Sequence, residues 1–229
     1  IPGSIVFDLA AIKALPLIEQ TEHTVAAQLS SLGISHKDAL VVYDRFGVFS
    51  APRLWWLLKT LGHKNVAILD GGLPAWIEAG RPLSERPHMG GYKPYDCAAP
   101  LLRGSDLSHV LSAIDNQVQI VDARPAGRFN GETPEPRAGL RRGHIPGSLS
   151  LPFGPLRHAG KLKSKSELAF AIGAAGINME RPIITTCGSG VTAAGLAFIF
   201  YHLGKTDVSV YTGSWAQYGA SQHPSSGPI

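Results

Sequence analysis

The chain has little cysteine and little charge, and each shortage excludes a class of protein. Two cysteines among 229 residues, Cys97 and Cys187, are too few for a disulfide framework and favour a reducing compartment, the cytoplasm. Charged residues make up 17% of the chain and hydrophobic residues 44%, which excludes large-scale disorder and provides a substantial core. No apolar run reaches the roughly 18 residues of a membrane span, so we expect no membrane association.

The distribution of charge and the spacing of His and Cys indicate which substrates, metals and cofactors to expect. The formal net charge is +4, and Lys and Arg are scattered and not interleaved with aromatic residues. We therefore expect a small anionic substrate and no nucleic acid. His and Cys spacings match no metal-ligand set, and no P-loop lysine follows the glycines at 188–190, so we expect neither a metal nor a cofactor. We expect a monomer.

Cys187 lies where a predicted strand ends and a predicted helix begins. Residues 183–186 are apolar or β-branched, as in a buried strand, and residues 191–203 are small and apolar, as in a buried helix. The glycines between them allow the backbone amides to turn inward, and a helix N-terminus carries partial positive charge. Both features favour a thiolate, the reactive form of cysteine. Cys97 has no such flanks and is expected to be an incidental thiol.

A second copy of this pattern occurs earlier in the chain. Ile-Pro-Gly-Ser at 1–4 recurs at 145–148, and the glycine-containing turn at 70–76 aligns with 212–218. Each copy reads as strand, loop, buried helix, strand and aromatic helix, which is typical of a parallel sheet covered by helices. The domain boundaries predicted from the repeat are 1–85 for a first, non-catalytic domain, 86–104 for a linker and 105–229 for a second, catalytic domain.

The two copies differ at the position that carries the chemistry. Where the second copy has Cys187, the first has Asp44, so only the second copy has a thiol to react. The second copy also has residues 106–144 before its Ile-Pro-Gly-Ser turn, and the first has no counterpart before Ile1. We therefore expect the first domain to lack its N-terminal part in this sequence.

These motifs resemble the tandem rhodanese family over essentially the whole chain, and most of all its 3-mercaptopyruvate sulfurtransferases. The motifs that carry the resemblance are Cys-Gly-Ser-Gly-Val-Thr-Ala at 187–193, Gly-His-Ile-Pro-Gly-Ser at 143–148, Asp-Ala-Arg at 122–124 and Gly-Ser-Trp at 213–215. The resemblance implies an α/β fold of two tandem rhodanese-like domains, each a mainly parallel sheet flanked by helices. It also implies that sulfur moves from 3-mercaptopyruvate, through a Cys187 persulfide, to an acceptor thiol such as thioredoxin or to cyanide, with release of pyruvate.

The same resemblance assigns roles to individual residues. Cys187 is the nucleophile, and Ser189 relays a proton to the leaving enolate. Arg128 and Arg137 match the family's substrate arginines, whose planar fork of donors suits a carboxylate. Arg124 is expected to make a structural ion pair at the edge of the sheet. The complete set of expected site residues is Cys187, Ser189, Arg128, Arg137, Gly188, Gly190, Val191 and Thr192.

Three other interpretations compete with this one. The first is a thiosulfate sulfurtransferase. Relatives that use thiosulfate, a dianion, carry basic residues just after the cysteine, whereas Gly188 and Ser189 are neutral, which argues against this donor. A cysteine phosphatase needs an arginine at the sixth residue after the cysteine, where this chain has Ala193, and the residue before the cysteine is Thr186 and not histidine. A non-catalytic rhodanese-like binding module stays open, because the first copy has already lost its thiol.

Overall fold

The computed structural model describes residues 1–12, 18–116 and 118–226. In chain order its elements are α1 (Ile18–Ser31), β1 (Leu40–Val42), α2 (Ala51–Thr60), β2 (Val66–Ile68), α3 (Gly72–Glu78), β3 (Arg103–Ser105), α4 (Leu107–Asp115), β4 (Gln119–Asp122), α5 (Ala126–Phe129), β5 (Leu149–Ser150), a 3-10 turn (Gly154–Leu156), β6 (Arg157–His158), β7 (Lys161–Leu162), α6 (Lys165–Ala174), β8 (Ile183–Thr186), α7 (Val191–His202), β9 (Val208–Tyr211) and α8 (Ser214–Tyr218). No helix in the described ranges is both long and apolar enough to cross a membrane.

The chain divides into two compact units. Unit 1 comprises Ile1–Leu102 and Ala159–Leu162, and unit 2 comprises Arg103–His158 and Lys163–Ile229. Unit 2 therefore begins close to the predicted start of the second domain. Most of the predicted linker, 86–104, belongs to unit 1.

The residues predicted to form a linker are held in unit 1 by specific contacts. The Ala98 amide donates a hydrogen bond to the Leu61 carbonyl at 3.0 Å. Tyr95 is buried, and its hydroxyl lies 2.8 Å from Nδ1 of His63. The glycines and prolines of this stretch favour an irregular backbone, but the residues that fix it lie far away in the sequence.

Five of the described strands of unit 2 form a parallel sheet in the order β3-β9-β8-β4-β5. Ile120 pairs with Ile184, and Asp122 pairs with Thr186. Every residue of β4 and β8 is buried, as expected in the middle of a parallel sheet covered by helices. The carboxyl ends of β4, β8 and β9 meet at one edge of this sheet, where open α/β sheets bind their ligands.

Helix α7 follows β8 and is buried along most of its length. It is apolar on all sides, which is typical of a helix inside a core. Gly190, just before it, has φ +82°, a left-handed conformation that glycine adopts without strain. Within the helix, a Cβ on Gly195 would come within 2.6 Å of the Phe153 ring, so close packing requires glycine there. The Cys187 loop is therefore anchored between a buried strand and a buried helix.

Unit 1 shows the strand–helix–strand order predicted for the first copy. Strands β1 and β2 pair in parallel, with Leu40 opposite Val66. Helix α2 joins them and is anchored by Trp55 and Trp56, which are 2% and 1% exposed.

Buried His63 makes the stability of unit 1 sensitive to acid. Because the Asp38 carbonyl can only accept, Nε2–H of His63 donates to it at 2.9 Å, and Nδ1 accepts from the Tyr95 hydroxyl. Burial lowers the pKa of His63 below its ordinary value of 6.5, and the charges of His36 and Lys59 lower it further. Below pH 6.5 the unfolded chain therefore binds a proton that the folded unit does not, so stability falls as the pH falls.

We expect the urea midpoint of unit 1 to decrease between about pH 7 and about pH 5, and to decrease less in His63→Gln. Tryptophan fluorescence reports on this unit, because it contains Trp55, Trp56 and Trp76. The matched control is His88→Gln, which removes an exposed histidine and should keep the wild-type slope. A pH slope that is unchanged in His63→Gln would contradict the prediction.

Candidate active site

Cys187 directly follows β8 and precedes the N-terminus of α7. It is 2% exposed, and the Gly190 amide donates a hydrogen bond to its Sγ at 3.0 Å. This amide and the positive end of α7 both stabilise negative charge on sulfur. The other predicted loop residues are all half-buried: Gly188, Ser189, Val191 and Thr192. Contacts from their amides to the sulfur stay a prediction.

Residues after β9 hold the Cys187 loop through its backbone. The Trp215 amide donates to the Cys187 carbonyl at 2.8 Å, and the Ala216 amide donates to the Gly188 carbonyl at 3.1 Å. The Ser214 hydroxyl accepts from the Cys187 amide at 3.4 Å and lies 3.9 Å from Sγ. The start of α8 therefore fixes the orientation of the Cys187 backbone.

Ser214 was not predicted as a site residue, although the comparison of the two copies carries a signal for it. Its φ of +50° is left-handed, which is uncommon for any residue except glycine. The aligned residue in the first copy is Gly72, with φ +54°. A serine in this conformation carries strain that glycine avoids, and such strain clusters at functional sites. The gain from serine is a hydroxyl beside the nucleophile.

Ser189 and Cys97 differ in how far the structure supports their predicted roles. The Ser189 hydroxyl makes no hydrogen bond within the described ranges, so its role as a proton relay stays a prediction. Cys97 is exposed, and its pKa is raised by partial burial and by the carboxylates of Glu22 and Asp96. A raised pKa disfavours the thiolate, in agreement with an incidental thiol. Within the described part of the chain, no cluster of His, Cys, Asp and Glu is suited to a metal ion.

The two predicted substrate arginines both lie beside Gly188. Nη1 of Arg137 donates a hydrogen bond to the Gly188 carbonyl at 3.2 Å. Nη2 of Arg128, at the end of α5, lies 3.0 Å from the position that a Cβ on Gly188 would occupy. Two guanidinium groups therefore converge on the residue that follows the nucleophile, an arrangement that suits an anionic substrate.

A buried carboxylate that was not predicted, Glu135, joins Arg128 to Arg124. Its side chain is 2% exposed, and its oxygens accept from Nη1 of Arg124 at 2.8 Å and from Nε and Nη2 of Arg128. Arg124 also pairs with Asp122 at 2.7 Å, so the predicted structural ion pair is confirmed. Arg124 comes just after β4, at the carboxyl edge of the sheet, although β4 itself is an interior strand between β8 and β5.

In unit 1 a carboxylate occupies the position that aligns with the thiol. One oxygen of Asp44 accepts from the Phe46 amide at 2.7 Å. The other oxygen accepts three amides at 2.9, 2.7 and 2.8 Å, which belong to Phe49, Ser50 and Ala51. The amide cradle at the start of α2 is therefore filled by the chain's own anion. Because an aspartate stands where the second copy has Cys187, this cradle holds no thiol for thiolate chemistry.

Replacement of Asp44 by alanine should destabilise unit 1 by about 2–3 kcal/mol, because a charged acceptor of several amides is lost. Asp44→Asn, which keeps one carbonyl oxygen, should lie between alanine and the wild type. Urea unfolding followed by tryptophan fluorescence measures the difference. The control is Asp8→Ala, because Asp8 is exposed and accepts from the Ala10 amide alone among the residues described. An equal loss in the Asp44 and Asp8 variants would contradict the prediction.

Comparison with known proteins gives the family of this chain. A family model for the rhodanese-like domain matches residues 1–79 and 107–221. The chain is 39% identical over 231 residues to the 3-mercaptopyruvate sulfurtransferase of Escherichia coli (strain K12), with 96% of this chain and 80% of that protein covered. It is 38% identical over 229 residues to the thiosulfate sulfurtransferase of Bos taurus, with 95% and 76% covered.

The solved structures give the same fold. The crystal structure of the Escherichia coli 3-mercaptopyruvate sulfotransferase SseA superimposes with a TM-score of 0.80 and 38% identity, and the match covers 94% of this chain and 82% of that one. The predicted α/β fold class, with parallel sheets flanked by helices, is confirmed. The predicted resemblance is confirmed as well: the chain belongs to the rhodanese family.

Proposed function

We propose that this chain is a sulfurtransferase that takes sulfur from 3-mercaptopyruvate, holds it as a persulfide on Cys187 and passes it to an acceptor. The observation that carries the proposal is the convergence of Arg128 and Arg137 on Gly188, the residue next to a cysteine whose Sγ receives a backbone hydrogen bond. A nucleophilic sulfur and paired carboxylate-binding groups are the two things that this donor requires.

In the first half-reaction the Cys187 thiolate attacks the sulfur of the donor. The new S–S bond forms while the C–S bond of the donor breaks, and the electron pair of the C–S bond moves to the enolate of pyruvate. The proton on the transferred sulfur then passes to the enolate carbon, with Ser189 as the relay, and pyruvate leaves. The Gly190 amide and the N-terminus of α7 stabilise the sulfur anion.

In the second half-reaction an acceptor removes the outer sulfur. An acceptor thiolate attacks this atom, the S–S bond breaks, and the Cys187 thiolate is restored. The product is a persulfide, or thiocyanate when the acceptor is cyanide. The acceptor in this proposal is a thiol, such as that of thioredoxin, or cyanide. The protein works as a monomer, in the cytoplasm, without a cofactor and without nucleic acid or membrane partners.

The loop after the cysteine favours 3-mercaptopyruvate over thiosulfate. Relatives named for each donor are similar to this chain at 39% and 38% identity, so overall similarity does not discriminate between them. Gly188 and Ser189 add no positive charge next to the sulfur, whereas a dianion needs it. Because Glu135 neutralises Arg128, the single charge of Arg137, uncompensated among the described residues, suits a donor with one carboxylate. Thiosulfate sulfurtransferase activity is the second candidate.

The test is the rate of sulfur transfer from each donor to cyanide, measured on the full-length protein. We expect kcat/KM for 3-mercaptopyruvate to exceed that for thiosulfate by about tenfold or more, which is about 1.4 kcal/mol in transition-state stabilisation. A preference for thiosulfate would overturn the assignment of the donor but would still support sulfurtransferase activity. Absence of turnover with both donors would favour a binding module.

A further inference from the structure

Among the residues described, Glu135 alone forms ion pairs with both Arg128 and Arg124. Its carboxylate is almost completely buried, whereas the side chain of Arg128 is 20% exposed. Arg124, on the other side, is 1% exposed and also pairs with Asp122. The chain of charges therefore runs from the core of unit 2 to a half-buried guanidinium beside Gly188.

The way in which Glu135 binds Arg128 decides which edge of the guanidinium can bind a second carboxylate. A guanidinium offers a carboxylate two bidentate edges, one formed by Nε and Nη2 and one formed by Nη1 and Nη2. Glu135 occupies the first, with one oxygen 3.0 Å from Nε and the other bonded to Nη2. Nη1 makes no hydrogen bond within the described ranges, and Nη2 keeps a second hydrogen, so the other edge retains two donors for a second carboxylate. Glu135 thus aligns Arg128 for a bidentate ligand.

Glu135 also sets the net charge of the site. The carboxylates of Asp122 and Glu135 balance the guanidinium groups of Arg124 and Arg128. Arg137, which forms no ion pair with a carboxylate in the described ranges, remains as one uncompensated positive charge beside Gly188. Coulomb interactions in a partly buried site are several times stronger than in water, so a change of one unit charge is felt by the substrate.

We infer that Glu135 is a positioning and specificity-determining residue, which aligns Arg128 for a carboxylate and favours singly charged donors over doubly charged ones. This inference rests on the proposed function, because it concerns the choice between 3-mercaptopyruvate and thiosulfate at the same site. Neutralising Glu135 leaves two uncompensated guanidinium charges near Gly188. A dianion gains more from the second charge than a monocarboxylate does.

The experiment compares kcat/KM for the two donors in the wild type, Glu135→Gln and Glu135→Asp. In Glu135→Gln we expect KM for 3-mercaptopyruvate to rise with little change in kcat, and the ratio of thiosulfate to 3-mercaptopyruvate kcat/KM to rise about tenfold. In Glu135→Asp the charge is kept but the reach is shortened. There KM for 3-mercaptopyruvate should rise while the ratio stays within about threefold of the wild type.

The matched control is Glu132→Gln, in the same loop. Glu132 is exposed and accepts from Asn130, so its loss changes the overall charge by the same amount without touching Arg128. Both donors should keep wild-type kinetics in this variant. The inference is overturned if Glu135→Gln lowers kcat/KM for both donors by the same factor, as a purely structural role would do, or if Glu132→Gln shifts the ratio equally.

A second measurement separates failure of this inference from failure of the proposed function. Pyruvate, a monoanion, and sulfate, a dianion, are tested for protection of Cys187 against iodoacetamide, which needs no turnover. Glu135→Gln should lower the sulfate concentration for half-protection relative to that of pyruvate. If the wild type turns over neither donor, the proposed function fails and this ratio still tests Glu135. An unchanged ratio overturns the inference.

Discussion

Replacement of Cys187 by serine should lower sulfur transfer by at least about 10³-fold, because the hydroxyl cannot form a persulfide. The fold should be kept, since serine fits the same space and its oxygen accepts from the Gly190 amide that now donates to Sγ. The direct measurement is intact-protein mass spectrometry after incubation with 3-mercaptopyruvate without an acceptor. The wild type should gain the mass of one sulfur atom, and Cys187→Ser should gain none.

Cys97→Ser provides the control for this experiment. Cys97 is the other cysteine of the chain, is exposed and has a raised pKa, so its loss should leave both the mass gain and the turnover at wild-type values. A mass gain that persists in Cys187→Ser, or that disappears in Cys97→Ser, would contradict the assignment of the nucleophile. If Cys187→Ser lost turnover but still gained the mass of sulfur, Cys187 would act in a later step and would not be the residue that carries the sulfur.

Replacement of Arg124 by methionine should cause the largest loss of stability among the single changes considered. The Arg124 side chain is 1% exposed, forms an ion pair with Asp122 and donates a hydrogen bond to Glu135. Its Cζ lies 4.3 Å from the centre of the Trp215 ring. Methionine fills much of the volume but leaves the buried Asp122 carboxylate without a cation and Glu135 with Arg128 alone, which costs about 3–5 kcal/mol. For a chain of this size we expect the melting temperature of unit 2 to decrease by about 10 °C.

Thermal unfolding of Arg124→Met beside Arg142→Met checks this expectation. Arg142 is exposed and lies in the same region of the sequence, so its replacement should change the melting temperature by no more than about 2 °C. Trp215 donates its amide to the Cys187 carbonyl, so activity should fall together with stability in Arg124→Met. Equal melting temperatures in the two variants would show that the buried ion pairs add no net stability.

The local arrangement around the nucleophile could be predicted because it depends on neighbouring residues. The β-branched run before Cys187 and the small apolar run after it specify a strand and a helix, and the structure has both at the expected positions. Arg137 was expected at the site from the family resemblance, and the structure brings its side chain to the Gly188 carbonyl. The loss of the thiol in the first copy likewise follows from a single aligned residue, Asp44.

The contacts that complete the site could not be predicted from the same signals. Glu135 lies two residues before Arg137, and the family resemblance assigned a role only to the arginine. Its burial between Arg124 and Arg128 depends on how the loop folds back onto the residues that follow β4. Ser214 carries a weak signal in the comparison of the copies, yet its place beside Sγ requires the parallel pairing of β8 and β9.

The sequence by itself determined the strand–helix–strand order of each copy and the place of Cys187 between β8 and α7, because residue type and spacing specify such local features. The motifs also carried the resemblance to the rhodanese family, which the family model confirms, and that resemblance pointed to the two arginines beside Gly188. The tertiary structure alone decided that β4 is an interior strand, that residues of the predicted linker pack on unit 1, and that a buried carboxylate orients Arg128. Each of these depends on the burial and pairing of residues distant in the chain, and the energy of a buried charge is set by its neighbours in space.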